Sequence, residues 1–83
     1  MNKIPICIVG CGGMGHRHIL GYKALEDTGI SNVEIVAVCD VQPQNAALAA
    51  QEVERLFGNK PLIFSNQQEA IEHPDVAAFD VVT

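Results

Sequence analysis

The sequence is short of positive charge: ten aspartates and glutamates face only five lysines and arginines, a formal net charge of -5 over 83 residues. Proteins that grip nucleic acid neutralise phosphates with cationic side chains, so this balance has the wrong sign for that class, and for docking on anionic membranes. Long apolar runs are missing too. The longest, Ile4 to Val9, is interrupted by Pro5 and falls far short of the roughly 20 residues that span a bilayer. Lys3 before that run imitates the start of a secretory signal, but the run is too short and the following glycines offer no small-x-small cleavage site. No nucleic-acid or membrane partner is expected, and the protein is expected to be soluble and cytoplasmic.

Paired cysteines are also lacking. Cys7, Cys11 and Cys39 are odd in number, and their spacing matches neither a CxxC redox pair nor zinc knuckles. Free buried thiols are expected, so neither a disulfide nor a metal is available to reinforce the core. Length is the last shortage. A chain of this size buries only about 60% of the surface its unfolded form exposes, which implies one small domain or a piece of one. What is present is an ordinary globular composition, 48% hydrophobic and 18% charged, which excludes a disordered polar tail.

The apolar pattern alternates between two periods. Ile4 to Val9 and Val33 to Cys39 are nearly continuous, β-branched runs, as in strands covered on both faces of a parallel sheet. Between them, Met14, His18, Tyr22 and Leu25 recur at spacings of four, four and three, predicting a helix over 14–25 that rests on that face, with Gly29 as its stop. Pro43 suits a first helical turn, and Ala46, Ala49, Val53 and Leu56 predict a second helix closed by Gly58. Leu62 to Phe64 is a short third strand. A brief helix capped by Ser65 or Asn66 runs to Glu72 before His73-Pro74, and Ala78 to Val82 is the fourth strand. Strict strand-helix alternation argues for a parallel sheet wrapped by helices.

Gly10-Cys11-Gly12-Gly13-Met14-Gly15 joins the first strand to the first helix and reads GxGxxG. Each fixed glycine has its own reason to lack a side chain. Gly10 permits the tight turn, Gly12 lets backbone approach a pyrophosphate, and Gly15 lets the helix pack closely on the strands. The helix would then aim free N–H groups and a partial positive charge at phosphates. Alone the motif is weak. Its strand-turn-helix setting, and Asp40 at the end of the second strand, strengthen it greatly, because an acid there can accept hydrogen bonds from the hydroxyls of an adenosine ribose. Two plainer readings stay open: a turn that only packs helix on strand, needing Gly15 but not Gly12, and an Asp40 that only caps the helix beginning near Pro43.

The glycine turn, its continuation Gly15-His16-Arg17-His18, the string Val38-Cys39-Asp40 followed by Pro43 and an alanine-rich helix, and His73-Pro74-Asp75-Val76 together resemble the amino-terminal part of the glucose-fructose oxidoreductase and inositol dehydrogenase family, Gfo/Idh/MocA. The resemblance covers nearly the whole chain. It implies an α/β fold, a Rossmann-type doubly wound parallel sheet that is incomplete, with about four strands. Residues 1–83 would be the amino-terminal portion of a dinucleotide-binding domain, with the rest of that domain and a substrate domain outside this chain. It further implies an NAD(P)-dependent oxidoreductase, homo-oligomeric when intact, that moves a hydride between the cofactor and a sugar, cyclitol or related polyol.

Carried over by position, Gly10, Gly12 and Gly15 match the phosphate-binding glycines, the backbone of Gly13 and Met14 faces the pyrophosphate, and Asp40 matches the ribose acid. NAD is expected rather than NADP, since Val41, Gln42, Pro43 and Gln44 after Asp40 supply no cation for a 2′-phosphate. The family's catalytic lysine lies in a Glu-Lys-Pro motif after a fifth strand, and Asn59-Lys60-Pro61, lacking the glutamate and preceding the third strand, is not that motif. No catalytic or metal-binding role is therefore assigned to any residue here. His16 and His18 sit about 200° apart on a helix and cannot form a metal pair, and His18 reads as a packing residue. The alternative from another class is a non-catalytic dinucleotide sensor, which would keep the glycines and Asp40.

Overall fold

The computed structural model describes residues 3–82. Strand β1 (Ile4–Val9), helix α1 (Gly13–Asp27), β2 (Val33–Cys39), α2 (Pro43–Phe57), β3 (Leu62–Phe64), α3 (Gln67–Glu72) and β4 (Ala78–Val81) follow in strict alternation. All four strands are parallel, in the order β3-β2-β1-β4. The chain therefore steps outward from β1 to β3, then crosses back to lay β4 on the other side of β1. Connection direction reverses between β1 and β4, and a crevice opens beyond the strand ends at such a reversal.

Helices cover both faces. Ile6, Ile8, Ile35 and Val38 pack against Ile19 of α1 and Ala49 and Val53 of α2. On the opposite face Cys7, Val9, Ala37 and Cys39 pack against Ala70 of α3. This is the doubly wound arrangement, and it explains why β1 and β2 read as continuous apolar runs rather than alternating ones. Among the described residues the buried core holds no polar or charged side chain.

Local chemistry sets the element boundaries. Pro43 occupies the first turn of α2, where its missing N–H costs nothing, and the helix ends at Gly58. Asn66, not Ser65, caps α3: its side-chain oxygen accepts the Glu69 N–H at 3.0 Å. The pairing of β1 with β2 slips by one residue at Ile6/Cys7, leaving Val36 without a β1 partner. This bulge brings Val9 beside Cys39 and so sets Asp40 next to the turn that follows β1.

Helix α1 differs from expectation in the face it buries. Its buried residues are Gly15 and Ile19, while Met14 is 55% exposed and Leu25 is exposed as well. The helix approaches the sheet through a glycine, and a pattern of apolar side chains passes over a residue that has none. Tyr22 stays half-buried against the same core. Strand β4 stops at Val81, one residue earlier than expected, although the Val82 N–H still donates to the Val9 carbonyl at 2.7 Å. Among the described residues, its outer edge has no neighbouring strand.

Candidate functional site

The turn after β1 is built from glycines that serve different ends. Gly10 has φ +96°, a left-handed conformation that glycine adopts at little cost, and its N–H donates to the Cys39 carbonyl at 2.9 Å. Gly15 sits so close to this turn that a Cβ there would lie 2.2 Å from the Gly10 carbonyl oxygen. Gly12 and Gly13 are unlike both: a Cβ on either would meet nothing within 4 Å. Close packing therefore demands Gly15, but no described residue demands Gly12 or Gly13.

Gly12 is the N-cap of α1, yet no side chain caps the helix and its first turn holds no acid. The opening N–H groups, including those of Gly13 and Met14, are thus left without the side-chain acceptor that an N-terminus normally recruits. Their partial positive charge borders the space that Gly12 and Gly13 leave clear.

Asp40 closes the other side. One carboxylate oxygen accepts the Cys11 N–H at 2.7 Å, and the other accepts the Gln42 N–H at 2.7 Å. The acid therefore ties the end of β2 to the glycine turn and also orders the entry to α2. It does not cap α2 at its first-turn N–H groups, for Gln42 is the N-cap and α2 has no side-chain cap. Two clefts flank the turn. Val9, Gly10, Cys39, Asp40, Val41 and Gln67 line one, and Met14, His18, Val81 and Val82 line the other, at the reversal between β1 and β4. Gly10, Gly12, Gly13, Met14, Gly15 and Asp40 are thus gathered at the carboxyl end of the sheet. Lys60 is exposed in the loop before β3, at the amino end of the strands.

All three cysteines are buried and free. Burial pushes the Cys7 thiol up to about 12 and the Cys11 thiol up to about 11 from an ordinary 9.0. Burial also raises Cys39, with the nearby Asp40 charge acting in the same direction. The neutral Cys11 thiol sits against the Cys39 carbonyl at 3.3 Å. Since the thiolate is the nucleophile, these groups should resist alkylation near pH 8 until the fold opens. Because the folded values lie above the unfolded one, the stability these thiols contribute is whole below pH 9 and lost as pH rises towards 11 to 12. Melting temperature should stay level from pH 7 to pH 8.5 and fall above pH 9, with iodoacetamide labelling following the melt. Fast labelling of native protein at pH 8 would contradict this.

One cluster escaped the sequence reading. Asp80 on β4 accepts from Tyr22 Oη at 2.8 Å and pairs with His18 Nδ1 at 2.7 Å through the same oxygen. His18 is therefore a hydrogen-bonding residue and not simple packing. The signal was available: an aspartate inside an otherwise apolar strand, and a histidine and tyrosine four apart on a helix.

A four-stranded parallel sheet of order 3-2-1-4, wound on both faces and carrying a glycine turn at its strand reversal, places the chain in the Rossmann-type class of α/β folds. No protein-family model matches the chain. It is 33% identical over 69 residues to glycosyl hydrolase family 109 protein 1 of Akkermansia muciniphila, a match covering 83% of this chain and 13% of that protein. Among solved structures, scyllo-inositol dehydrogenase from Lactobacillus casei, with bound NAD(H) and scyllo-inositol, superposes with TM-score 0.76 at 24% identity over 99% of this chain and 22% of that one. The WlbA dehydrogenase from Bordetella pertussis, in complex with NADH and UDP-GlcNAcA, gives TM-score 0.65 at 29% identity over the same shares. The chain thus spans less than a quarter of the length of these relatives. The resemblance read from its residues is matched in sequence and in fold: the chain is similar to the amino-terminal Rossmann part of the Gfo/Idh/MocA type.

Proposed function

We propose that residues 1–83 form the amino-terminal portion of a dinucleotide-binding domain, in an oxidoreductase that moves a hydride between NAD and a sugar, cyclitol or related polyol. The observation that carries this reading is the unequal freedom of the glycines. Gly15 answers to the Gly10 carbonyl, whereas Gly12 and Gly13 leave bare backbone beside an uncapped helix N-terminus. A pyrophosphate fits that cradle, because it needs backbone donors, a favourable dipole and room. In this reading Gly10 makes the turn, Gly12 clears the approach, the Gly13 and Met14 N–H groups hold the pyrophosphate, and Asp40 accepts from the ribose hydroxyls. NAD, when bound, supplies the hydride acceptor, and these residues bind and orient it. Groups that act on the substrate are assigned to none of the described residues. The relatives bound to NAD(H) with scyllo-inositol and to NADH with UDP-GlcNAcA support both the cofactor and the substrate class.

A second reading, cleavage of a glycosidic bond, is favoured by the identity with a protein named as a glycosyl hydrolase. Some glycosidases are NAD-dependent, so the same cofactor site serves either reading. Incubating the full-length protein and NAD with a free polyol and with a glycoside separates them. NADH accumulating with polyol consumption supports the dehydrogenase, and sugar release without net NADH supports the hydrolase.

Cofactor choice follows from charge. Asp40 would meet a 2′-phosphate with like charge, and Val41, Gln42, Pro43 and Gln44 offer no cation between them. Calorimetric titration of the full-length protein should give tighter binding of NAD than of NADP. The double variant Asp40→Ala with Val41→Arg should narrow or reverse that ratio. Because Asp40 also holds two backbone N–H groups, the variant should bind either cofactor more weakly than the wild type binds NAD. Equal wild-type affinities for the two cofactors would remove Asp40 from the ribose.

A further inference from the structure

Asp80 is a charged residue in a place that asks for an apolar one. Its neighbours along that face of β4, Ala78 and Val82, join the core beside Ile8 and Ile19, and its side chain is 19% exposed. A carboxylate so placed is costly unless hydrogen-bonded, and both of its bonds come from α1. Among the described residues, these are the only side-chain hydrogen bonds between α1 and a strand. Tyr22 is held above its ordinary pKa, at about 12, by burial and then by Asp80, so its hydroxyl remains a donor across the physiological range.

The position of these bonds matters more than their number. His18 lies one turn beyond the glycine motif, and Asp80 lies on the strand across the reversal from β1. The His18 ring, 39% exposed, lines the cleft at that reversal with Met14, Val81 and Val82. The cluster therefore spans the gap between the helix N-terminus that faces the cradle and the strand that forms the far wall. Apolar contacts hold elements together but let them slide and rotate. Two hydrogen bonds from residues four apart, converging on one oxygen, fix both the height and the rotation of α1 against β4. Apolar residues in place of Asp80 and Tyr22 together would fill the same space without that directional control, and replacing the whole of a buried polar cluster by apolar residues often leaves stability intact or raises it.

We propose that Asp80, acting through His18 and Tyr22, is a positioning residue for the dinucleotide, setting α1 against β4 so that the pyrophosphate cradle and the reversal cleft lie at the separation the cofactor requires. The inference rests on the proposed NAD site and extends it to a residue that need not touch the cofactor. It separates the two ends of the ligand, since the Asp40 end is built on β2 and α2, whereas the Asp80 cluster governs the phosphate cradle on α1 and the end beyond it.

The test compares the full-length wild type with the double variant Asp80→Leu, Tyr22→Phe and with Asp80→Asn, measuring melting temperature and the affinities for NADH and for adenosine, which carries no phosphate and reaches only the Asp40 end. The double variant leaves no tyrosine hydroxyl unpaired and only the partly exposed His18 ring to water, so it is expected to melt within a few degrees of wild type, to bind adenosine unchanged, and to bind NADH about tenfold more weakly through the misplaced cradle. Asp80→Asn keeps one oxygen acceptor and should fall between the two. Unchanged NADH affinity in both variants overturns the proposal. So does a loss of adenosine and NADH affinity in parallel with a lowered melting temperature, which would mark Asp80 as structural only. A wild type that binds NADH tightly while both variants match it refutes this inference alone. A wild type that binds no NADH refutes the cofactor site, and this inference with it.

Discussion

Gly12→Val should leave the fold standing and remove the cofactor. The position has φ −76°, an ordinary value that a β-branched residue tolerates, and a Cβ there meets nothing within 4 Å. The added Cβ meets no clash and the change costs at most a weakened N-cap, about 1 kcal/mol, so the melting temperature of the full-length protein should change by no more than a few degrees. The added isopropyl group would stand in the space beside the Gly13 and Met14 N–H groups. If a pyrophosphate needs that space, its charge-assisted hydrogen bonds are lost at about 1.5 kcal/mol or more each, and two of them amount to roughly a hundredfold in affinity. Calorimetry with NAD and a thermal melt on the same preparation measure both halves of this statement. Unchanged NAD affinity would return the glycine turn to its plainer reading as a packing device.

Gly15→Ala should do the opposite. Here a single methyl group is driven to 2.2 Å from the Gly10 carbonyl oxygen, far inside contact distance, and the obstacle is backbone that cannot rotate away. Either α1 lifts from the sheet or the turn after β1 opens. Overpacking of this kind costs about 3 kcal/mol, at the upper end of the usual range. Both routes also displace the cradle, so NAD affinity should fall along with the melting temperature. The contrast is the informative result: two glycines three residues apart, one indifferent to the fold and one indispensable to it. A Gly15→Ala variant that melts like wild type would show that the close approach is not maintained in solution.

Most of the fold could be read from the sequence because its signals are short-range. Continuous apolar runs marked β1 and β2, alanines at helical spacing marked α2, and Pro43 and Gly58 marked its ends. What escaped was long-range. The buried face of α1 depends on Gly15 meeting a carbonyl five residues earlier, and a glycine carries no hydrophobic signal. The bulge at Val36 leaves no mark in a β-branched run that is apolar on both faces. An aspartate in an apolar strand and a His18–Tyr22 pair were visible separately, but they could be joined only once β4 was known to return beside β1, since more than fifty residues separate the partners. The site divides in the same way. The GxGxxG turn and Asp40 were legible as a motif, but the bonds from Cys11 and Gln42 to Asp40 needed the register of β2 against β1. Those bonds show an acid that orders both the turn and the entry to α2, a role compatible with the ribose contact proposed for it.

The turn from Gly10 to Gly15 and the carboxylate of Asp40 are proposed to form one dinucleotide site. A crystal structure of the full-length protein grown with NAD tests it most directly. The expected structure has pyrophosphate oxygens within hydrogen-bond distance of the Gly13 and Met14 N–H groups, passing over Gly12, with both adenosine ribose hydroxyls on Asp40. Cofactor bound elsewhere, or a ribose turned away from an Asp40 that contacts only Cys11 and Gln42, would contradict it.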